Sequence, residues 1–314
     1  MRRAFHALRN GAPGPVVIEL ISDVCNQNIS EEAQNYTSPR LTKQMPEPLE
    51  IEATADALLA SKTPMIWAGA GVLFSGSSDA LKELSQLTSI PVFCTMPGKS
   101  GFDERDPLSL GSGCGTTTQM AHEWLKYSDV ILALGSSLTR SPYAQAIPKG
   151  KILIQNTNNP DDINKDEPIQ INLVGDTKLT IENLIRVIKK KTQNNGFGDL
   201  EKTASKIKVI KESWLAKWHD SLNSDEEPIS YYRVIQEINK NLDLENSIVT
   251  HDAGAPRDTI VPFFSATIPH SYIGWGKTTH LGFGIPLMIG AKICLLYTSP
   301  SPRDQRGSRM PSCA

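Results

Sequence analysis

The sequence predicts an α/β protein with a doubly wound, parallel-sheet central domain. Three observations point there. Between residues 50 and 190, short apolar runs alternate with amphipathic segments of helical period. The apolar runs are nearly continuous rather than alternating, as in strands covered on both faces. Two of them end in glycine turns, Ala68-Gly-Ala-Gly-Val72 and Leu134-Gly-Ser-Ser137, at the C-terminal strand ends where open α/β sheets bind ligands.

Taken in order, Arg2 to Leu8 predicts a helix, Gly11-Ala-Pro-Gly-Pro15 a turn and Val16 to Ile21 a strand. This αβ unit is too short for a domain, so 1–24 reads as the end of one. Residues 25–49 are polar with three prolines and predict a surface linker. The central region then predicts helix 51–59, strand 64–68, helix 79–87, strand 90–95, helix 116–127, strand 129–134, strand 151–155, a sixth element 169–174 and a closing helix 179–190. Residues 191–228 are a charged, partly helical link in which Trp214 and Trp218, four apart, form a packing face. A further unit, 229–293, starts with a helix from Ile229 to Leu242. The strand Ser247 to Thr250 follows and runs into the loop His251-Asp-Ala-Gly-Ala-Pro-Arg257.

That unit closes with a glycine-rich stretch, Gly274 to Lys292. Gly282-Phe-Gly284 ahead of an apolar run predicts a turn feeding a helix N-terminus, where free N–H groups and the helix dipole favour an anion. A tight loop packed on a helix, with no ligand, explains the same glycines. Two glycine loops at adjacent strand ends suit a phosphorylated ligand. The turns at Gly69, Gly71 and Gly135 also invite a nucleotide. However, Phe74 stands where the third glycine of GxGxxG belongs, and the acidic ribose partner is missing.

Charge is nearly balanced, with 32 basic and 34 acidic side chains, which leaves no footprint for nucleic acid or an anionic membrane. No apolar run approaches the roughly 18 residues of a membrane span, and the N-terminus has no secretory signal. Cys25, Cys94, Cys114, Cys294 and Cys313 show no metal spacing and predict buried free thiols in the cytoplasm. From Cys294 the pattern breaks into a proline-containing tail without periodicity, so 294–314 is expected to be non-native and is set aside from the fold.

In sequence order, several segments together resemble the thiamine-diphosphate-dependent acetolactate synthase/pyruvate oxidase group. Gly11 to Val24 looks like GxPGPVxxExxxDV at the end of its pyrimidine-binding domain. Ala68-Gly-Ala-Gly-Val72, Pro97-Gly-Lys-Ser-Gly-Phe102, Asp106 to Gly111, Ser128 to Gly135 and Val174-Gly-Asp176 fall in order as in its central, Rossmann-like domain. Leu281 to Lys292 looks like the GxGxPxxxGAK of its diphosphate domain. The resemblance implies partial thiamine-diphosphate-binding α/β domains flanking the central one. It also implies decarboxylation or carboligation of a small-molecule 2-oxo acid, with thiamine diphosphate as electron sink and Mg²⁺ on the diphosphate. The chain is then a cytoplasmic lyase or transferase, a homodimer or homotetramer in its full-length parent.

By the same resemblance, Asp252, Gly254, Ala255, Leu281, Gly282, Phe283 and Gly284 bind the cofactor. Ala255 replaces a polar residue, so any contact there comes from its backbone N–H. Arg257 and His280 are candidates to face the substrate and Lys277 to pair with a phosphate, against solvated or core roles for all three. Some relatives carry FAD and others do not, so Gly69, Gly71 and Gly135 stay unassigned. The resemblance places the catalytic glutamate upstream of Met1 and the metal-binding GDG…N motif beyond Lys292. The chain as written is therefore expected to be an inactive fragment without metal ligands. A reading from a different class is a non-catalytic nucleotide-binding or scaffolding protein built on the central domain.

Overall fold

A computed structural model describes residues 2–35, 37, 40–274 and 280–295. Lys277 and the tail from 296 lie outside the described residues. The chain opens with α1 (Arg2–Arg9) and the one-turn helices α2 (Ser22–Cys25) and α3 (Glu31–Gln34). The strand expected at 16–21 does not form. The segment is extended but unpaired, with Val17 89 % exposed, because β-branched residues make a strand only where a sheet offers a partner edge.

The centre is built from α4 (Pro48–Ala60), β1 (Met65–Ala68), α5 (Ala70–Ser75), α6 (Ser78–Thr88), β2 (Val92–Thr95), β3 (Ser109–Gly113), α7 (Gln119–Tyr127), β4 (Val130–Leu134), β5 (Ile152–Thr157), β6 (Ile171–Val174) and α8 (Thr177–Lys191). All six strands are parallel, in the order β3-β2-β1-β4-β5-β6. The order reverses at β1/β4, as in a doubly wound fold. Successive residues of each strand serve opposite faces. Ile66, Ala68, Val92, Leu132, Leu134 and Ile154 join a core with Ile51, Leu58, Leu84 and Ile181 of α4, α6 and α8. Met65, Trp67, Phe93, Ile131, Ala133 and Leu153 join a second core with Met120 and Trp124 of α7. Both faces are thus buried, which accounts for the unbroken apolar runs.

Pro48 starts α4 where its missing N–H costs nothing. Asp176 caps α8 by accepting the N–H of Leu179 at 3.1 Å. The glycine turns of β1 and β4 pack directly on each other. A Cβ on Gly71 would sit 2.5 Å from Gly135 Cα, and one on Gly69 would sit 2.3 Å from Gly135 O. Gly71 N–H donates to Gly135 O at 2.9 Å. Close backbone approach therefore explains these three glycines.

The chain continues through α9 (Leu200–Lys217), α10 (His219–Leu222), α11 (Tyr231–Asn241), β7 (Val249–Thr250), α12 (Ala255–Phe263), β8 (Tyr272–Ile273) and α13 (Gly284–Leu295). Trp214 stacks on Phe263 at 4.8 Å and Trp218 meets the same ring edge-on at 5.1 Å, so the pair is a packing face. Helix α13 runs on through Cys294 and Leu295, past the point where the sequence pattern breaks. Of the described thiols, Cys94 and Cys114 are buried but Cys25 and Cys294 are exposed, contrary to the expectation that all are buried. Cys25 lies in a segment with no core to enter, and Cys294 faces out from α13.

A buried ion pair joins this last part to the sheet. Lys99 is fully buried. Its Nζ donates to Glu104 Oε1 at 2.6 Å, to Phe264 O at 2.6 Å and to Val261 O at 3.1 Å. Glu104 also accepts from Ser112 and from Ala266 N–H. Every lone pair and proton of the pair has a partner at hand, the condition under which buried charges are tolerated.

Candidate functional site

Strands β7 and β8 pair in parallel, with Val249 beside Tyr272 and Thr250 beside Ile273. Parallel neighbours discharge their C-terminal loops at the same end. His251–Gly254 therefore emerges next to Gly274, and the start of α13 packs against it. A Cβ on Gly284 would lie 3.4 Å from His251 O. Two loops widely separated in sequence thus share one site.

Asp252 fastens them. Its Oδ1 accepts the N–H groups of Ala253 at 2.8 Å and Gly282 at 3.0 Å, and its Oδ2 accepts that of Gly284 at 3.2 Å. The amides of Gly282, Ala253 and Gly284 hold the carboxyl below its ordinary range. The N–H groups predicted to cradle an anion at Gly282–Gly284 are therefore taken by the protein's own carboxylate, which sits at the positive end of α13 as a capping residue does.

His251 is buried. Its Nδ1 donates to the Asp252 carbonyl at 2.9 Å, since a carbonyl only accepts. Burial, and then the charge of Arg257, push its pKa down, so the ring is neutral at pH 7 and Nε2 is a bare acceptor.

The N-terminus of α12 stays open. Gly254 occupies its N-cap with φ +82°, and a Cβ there would meet no atom within 4 Å. The left-handed φ requires glycine. Ala255 and Pro256 are exposed beside it; the Ala255 N–H has no acceptor within the helix and Pro256 has no N–H to give. Gly282, φ +81°, is equally open, and Leu281 is 75 % exposed while Phe283 is half-buried. All seven predicted site residues thus lie on the two joined loops. Asp252 and the amides of Gly282 and Gly284 are turned inward as the fastening, and Gly254, Ala255 and Leu281 face outward.

Of the other candidates, His280 is exposed. Arg257 is buried, and its Nε and Nη2 donate to Asp258 Oδ1 at 2.8 and 2.6 Å. Sequence reasoning missed Lys99 and Glu104 as the brace behind this site. The signal was present in Pro97-Gly-Lys-Ser-Gly-Phe102, a lysine amid glycines and apolar residues. Among the described residues no group of three or more His, Cys, Asp or Glu side chains is gathered to hold a metal, and no helix is long and apolar enough to cross a membrane.

Residues 51–184 match the family described as thiamine pyrophosphate enzyme, central domain. Over 95 % of its length the chain is 30 % identical to a probable acetolactate synthase large subunit of Methanocaldococcus jannaschii, of which it covers 51 %. It is 24 % identical to the acetolactate synthase isozyme 3 large subunit of Escherichia coli K12, across 94 % of the chain and 52 % of that protein. Identity to a glyoxylate carboligase of Escherichia coli O157:H7 is also 24 %, across 92 % of the chain and 49 % of the carboligase. The chain spans about half the length of the curated relatives it matches. Residues 51–184, on their six-stranded parallel sheet, thus match the thiamine pyrophosphate enzyme central domain, and through both loops of the site the chain is similar to acetolactate synthase large subunits.

Proposed function

We propose that this chain takes part in thiamine-diphosphate-dependent decarboxylation or carboligation of a 2-oxo acid, as a carbon–carbon lyase or transferase. The observation that carries the reading is Asp252, which ties the Gly282–Gly284 turn to the loop that opens the N-terminus of α12. The outward side of that junction suits a diphosphate: a glycine with empty space around it, the exposed Ala255 N–H and the positive end of a helix dipole. Gly254 and the Ala255 N–H would hold the diphosphate, and Asp252 keeps both loops in place. Leu281 and Phe283 would cover the apolar part of the cofactor and exclude water. His251, neutral and buried, adds no charge beneath the site. When bound, thiamine diphosphate supplies an electron sink for loss of CO₂ from the 2-oxo acid.

In this reading residues 50–190 are the central domain and 229–293 the start of the cofactor-facing unit. Mg²⁺ would neutralise the diphosphate, but the described residues offer no cluster of three or more His, Cys, Asp or Glu to hold it. FAD would belong to the central domain. Close backbone packing accounts for glycines 69, 71 and 135 without it, and flavin absorbance of the purified protein decides that point. Assembly as a homodimer or homotetramer is supported by apolar side chains left outside any core: Ile285, Ile289 and Ile293 on one stripe of α13, and Val17, Leu20 and Ile21. Light scattering that returned a single monodisperse monomer would count against it. A cytoplasmic location accords with free thiols at Cys25, Cys94, Cys114 and Cys294.

The test is calorimetric titration of the purified chain with thiamine diphosphate and, separately, with thiamine. Saturable binding that depends on the diphosphate is expected. Equal binding of the two, or none, would reject the reading.

A further inference from the structure

The two ends of α12 are built differently. Its N-terminus at Gly254 is open, with no atom within 4 Å of a Cβ placed there. Its C-terminal end is fixed by side chains from other parts of the chain. The last carbonyls of a helix lack partners inside it. Here Lys99 Nζ donates to Val261 O at 3.1 Å and to Phe264 O at 2.6 Å, and Asn239 Nδ2 donates to Phe263 O at 2.8 Å. The chain just beyond is held as well. Ser265 N–H donates to Asn239 Oδ1 at 3.1 Å, and Ala266 N–H to Glu104 Oε2 at 3.3 Å. Lys99 is itself anchored on the central sheet. It follows Gly98, which packs so closely on the end of β1 that a Cβ there would lie 2.6 Å from Ala68 O. Its Nζ also donates to both oxygens of Glu104, at 2.6 and 2.8 Å. Nearer the open end, Thr116 Oγ1 donates to Asp258 O at 2.7 Å.

Stability alone does not call for charge at this place. A buried ion pair replaced by apolar side chains of similar volume often leaves a fold as stable, or more so. What an apolar pair cannot give is direction. An ammonium with three protons fixes where two particular carbonyls lie, and a cation suits the negative end of a helix dipole. The nine residues of α12 span only about 13 Å, so a slip or tilt at the C-terminal end carries the Ala255 N–H with it. We propose that Lys99 is a positioning residue for the diphosphate: it holds the far end of α12 in register on the central domain and so sets where the N-terminus points. The diphosphate rests on the functional reading above; the latch itself rests on the hydrogen bonds.

Because the ion pair also bears on stability, the test separates position from folding. It compares wild-type protein with Lys99→Met, with Lys99→Met/Glu104→Leu, and with Asp129→Asn, which lies at the opposite ends of the parallel strands. Each is measured by denaturant unfolding, by hydrogen exchange and by calorimetric titration with thiamine diphosphate. The double variant is expected to recover most of the stability lost in Lys99→Met. Its exchange at Thr259 to Val261, relative to Ile131 and Leu132 of β4, is still expected to be faster on the order of tenfold, and its thiamine diphosphate affinity to be lower by roughly the same factor. Asp129→Asn is expected to lose stability with affinity unchanged. A double variant with wild-type relative exchange in α12, or with wild-type affinity, overturns the proposal. If the double variant does not fold, Asn239→Ala, which frees the same helix end without leaving a buried charge, is expected to move both readings in the same direction, and unchanged readings there overturn it. If wild-type protein binds no thiamine diphosphate, the functional reading fails and the exchange rates alone decide the latch.

Discussion

The carboxylate of Asp252 accepts the backbone N–H of Gly284 at 3.2 Å, 32 positions along the chain. Its other oxygen accepts that of Gly282 at 3.0 Å. An aspartate at the end of β7 therefore caps α13 and sets the distance between the two loops assigned to the cofactor.

Asp252→Ala removes this fastening and leaves the amides of Gly282 and Gly284 unpaired. Hydrogen exchange at both amides is expected to accelerate, and thiamine diphosphate affinity to fall roughly tenfold. Asp252→Asn keeps one acceptor oxygen but turns an NH₂ group toward the second amide site, so it should behave nearly as badly. Unchanged exchange in Asp252→Ala would show that the loops hold together without it.

Lys99 and Glu104 set up a second comparison. Lys99→Met leaves a buried carboxylate with no cation and is expected to cost about 3–5 kcal/mol in denaturant unfolding. Exchanging both charges together for apolar residues should cost much less than the sum of the single changes. Additive costs would mean the two side chains act independently, against the 2.6 Å contact between them.

The glycines separate by what surrounds them. Gly71→Ala drives a Cβ to 2.5 Å from the Gly135 Cα, a backbone atom that cannot swing away. A loss of roughly 1–3 kcal/mol is expected. Gly290→Ala, in α13 with no atom within 4 Å of its Cβ, should gain about 0.5–1 kcal/mol. Comparable effects at the two sites would contradict the packing of the β1 and β4 turns.

Asp129 contributes to acid sensitivity. Burial raises its pKa. Hydrogen bonds from Ser61 and from the amides of Lys62, Thr63 and Asp129 itself outweigh that and bring it to about 2. A depressed folded pKa gives stability that is present above the unfolded value of about 4 and is lost as pH falls through about 2. Its share is roughly 1–2 kcal/mol after solvent screening. Asp129→Asn should remove that share at pH 7 and flatten the stability profile between pH 4 and 2. A parallel profile would place the acid sensitivity elsewhere.

Much of this was legible in the residues. Pro64 to Ala68 and Val130 to Leu134 announce buried strands because every side chain is apolar and a glycine turn follows each. By contrast, β3 reads Ser-Leu-Gly-Ser-Gly, with neither periodicity nor β-branching. It is a strand because β2 offers an edge and α7 and α12 cover it. Helix α12 hides behind Pro256, in its first turn where proline costs little, and Pro262, which removes an intrahelical bond to the Asp258 carbonyl that Thr116 Oγ1 fills instead at 2.7 Å. Val16 to Ile21 errs the other way: a strand composition with no edge to join. At the site, glycine and aspartate marked both loops, but that the aspartate would cap the opposite loop depends on the pairing of β7 with β8, a long-range fact.

The central claim is that Asp252 assembles a diphosphate-binding junction from these two loops. The most direct measurement is the calorimetric thiamine diphosphate affinity of wild type beside Asp252→Ala, with thiamine as the ligand lacking the diphosphate. The account predicts diphosphate-dependent binding in the wild type that weakens roughly tenfold in the variant. Equal affinity in the two proteins, or equal affinity for thiamine and its diphosphate, would contradict it.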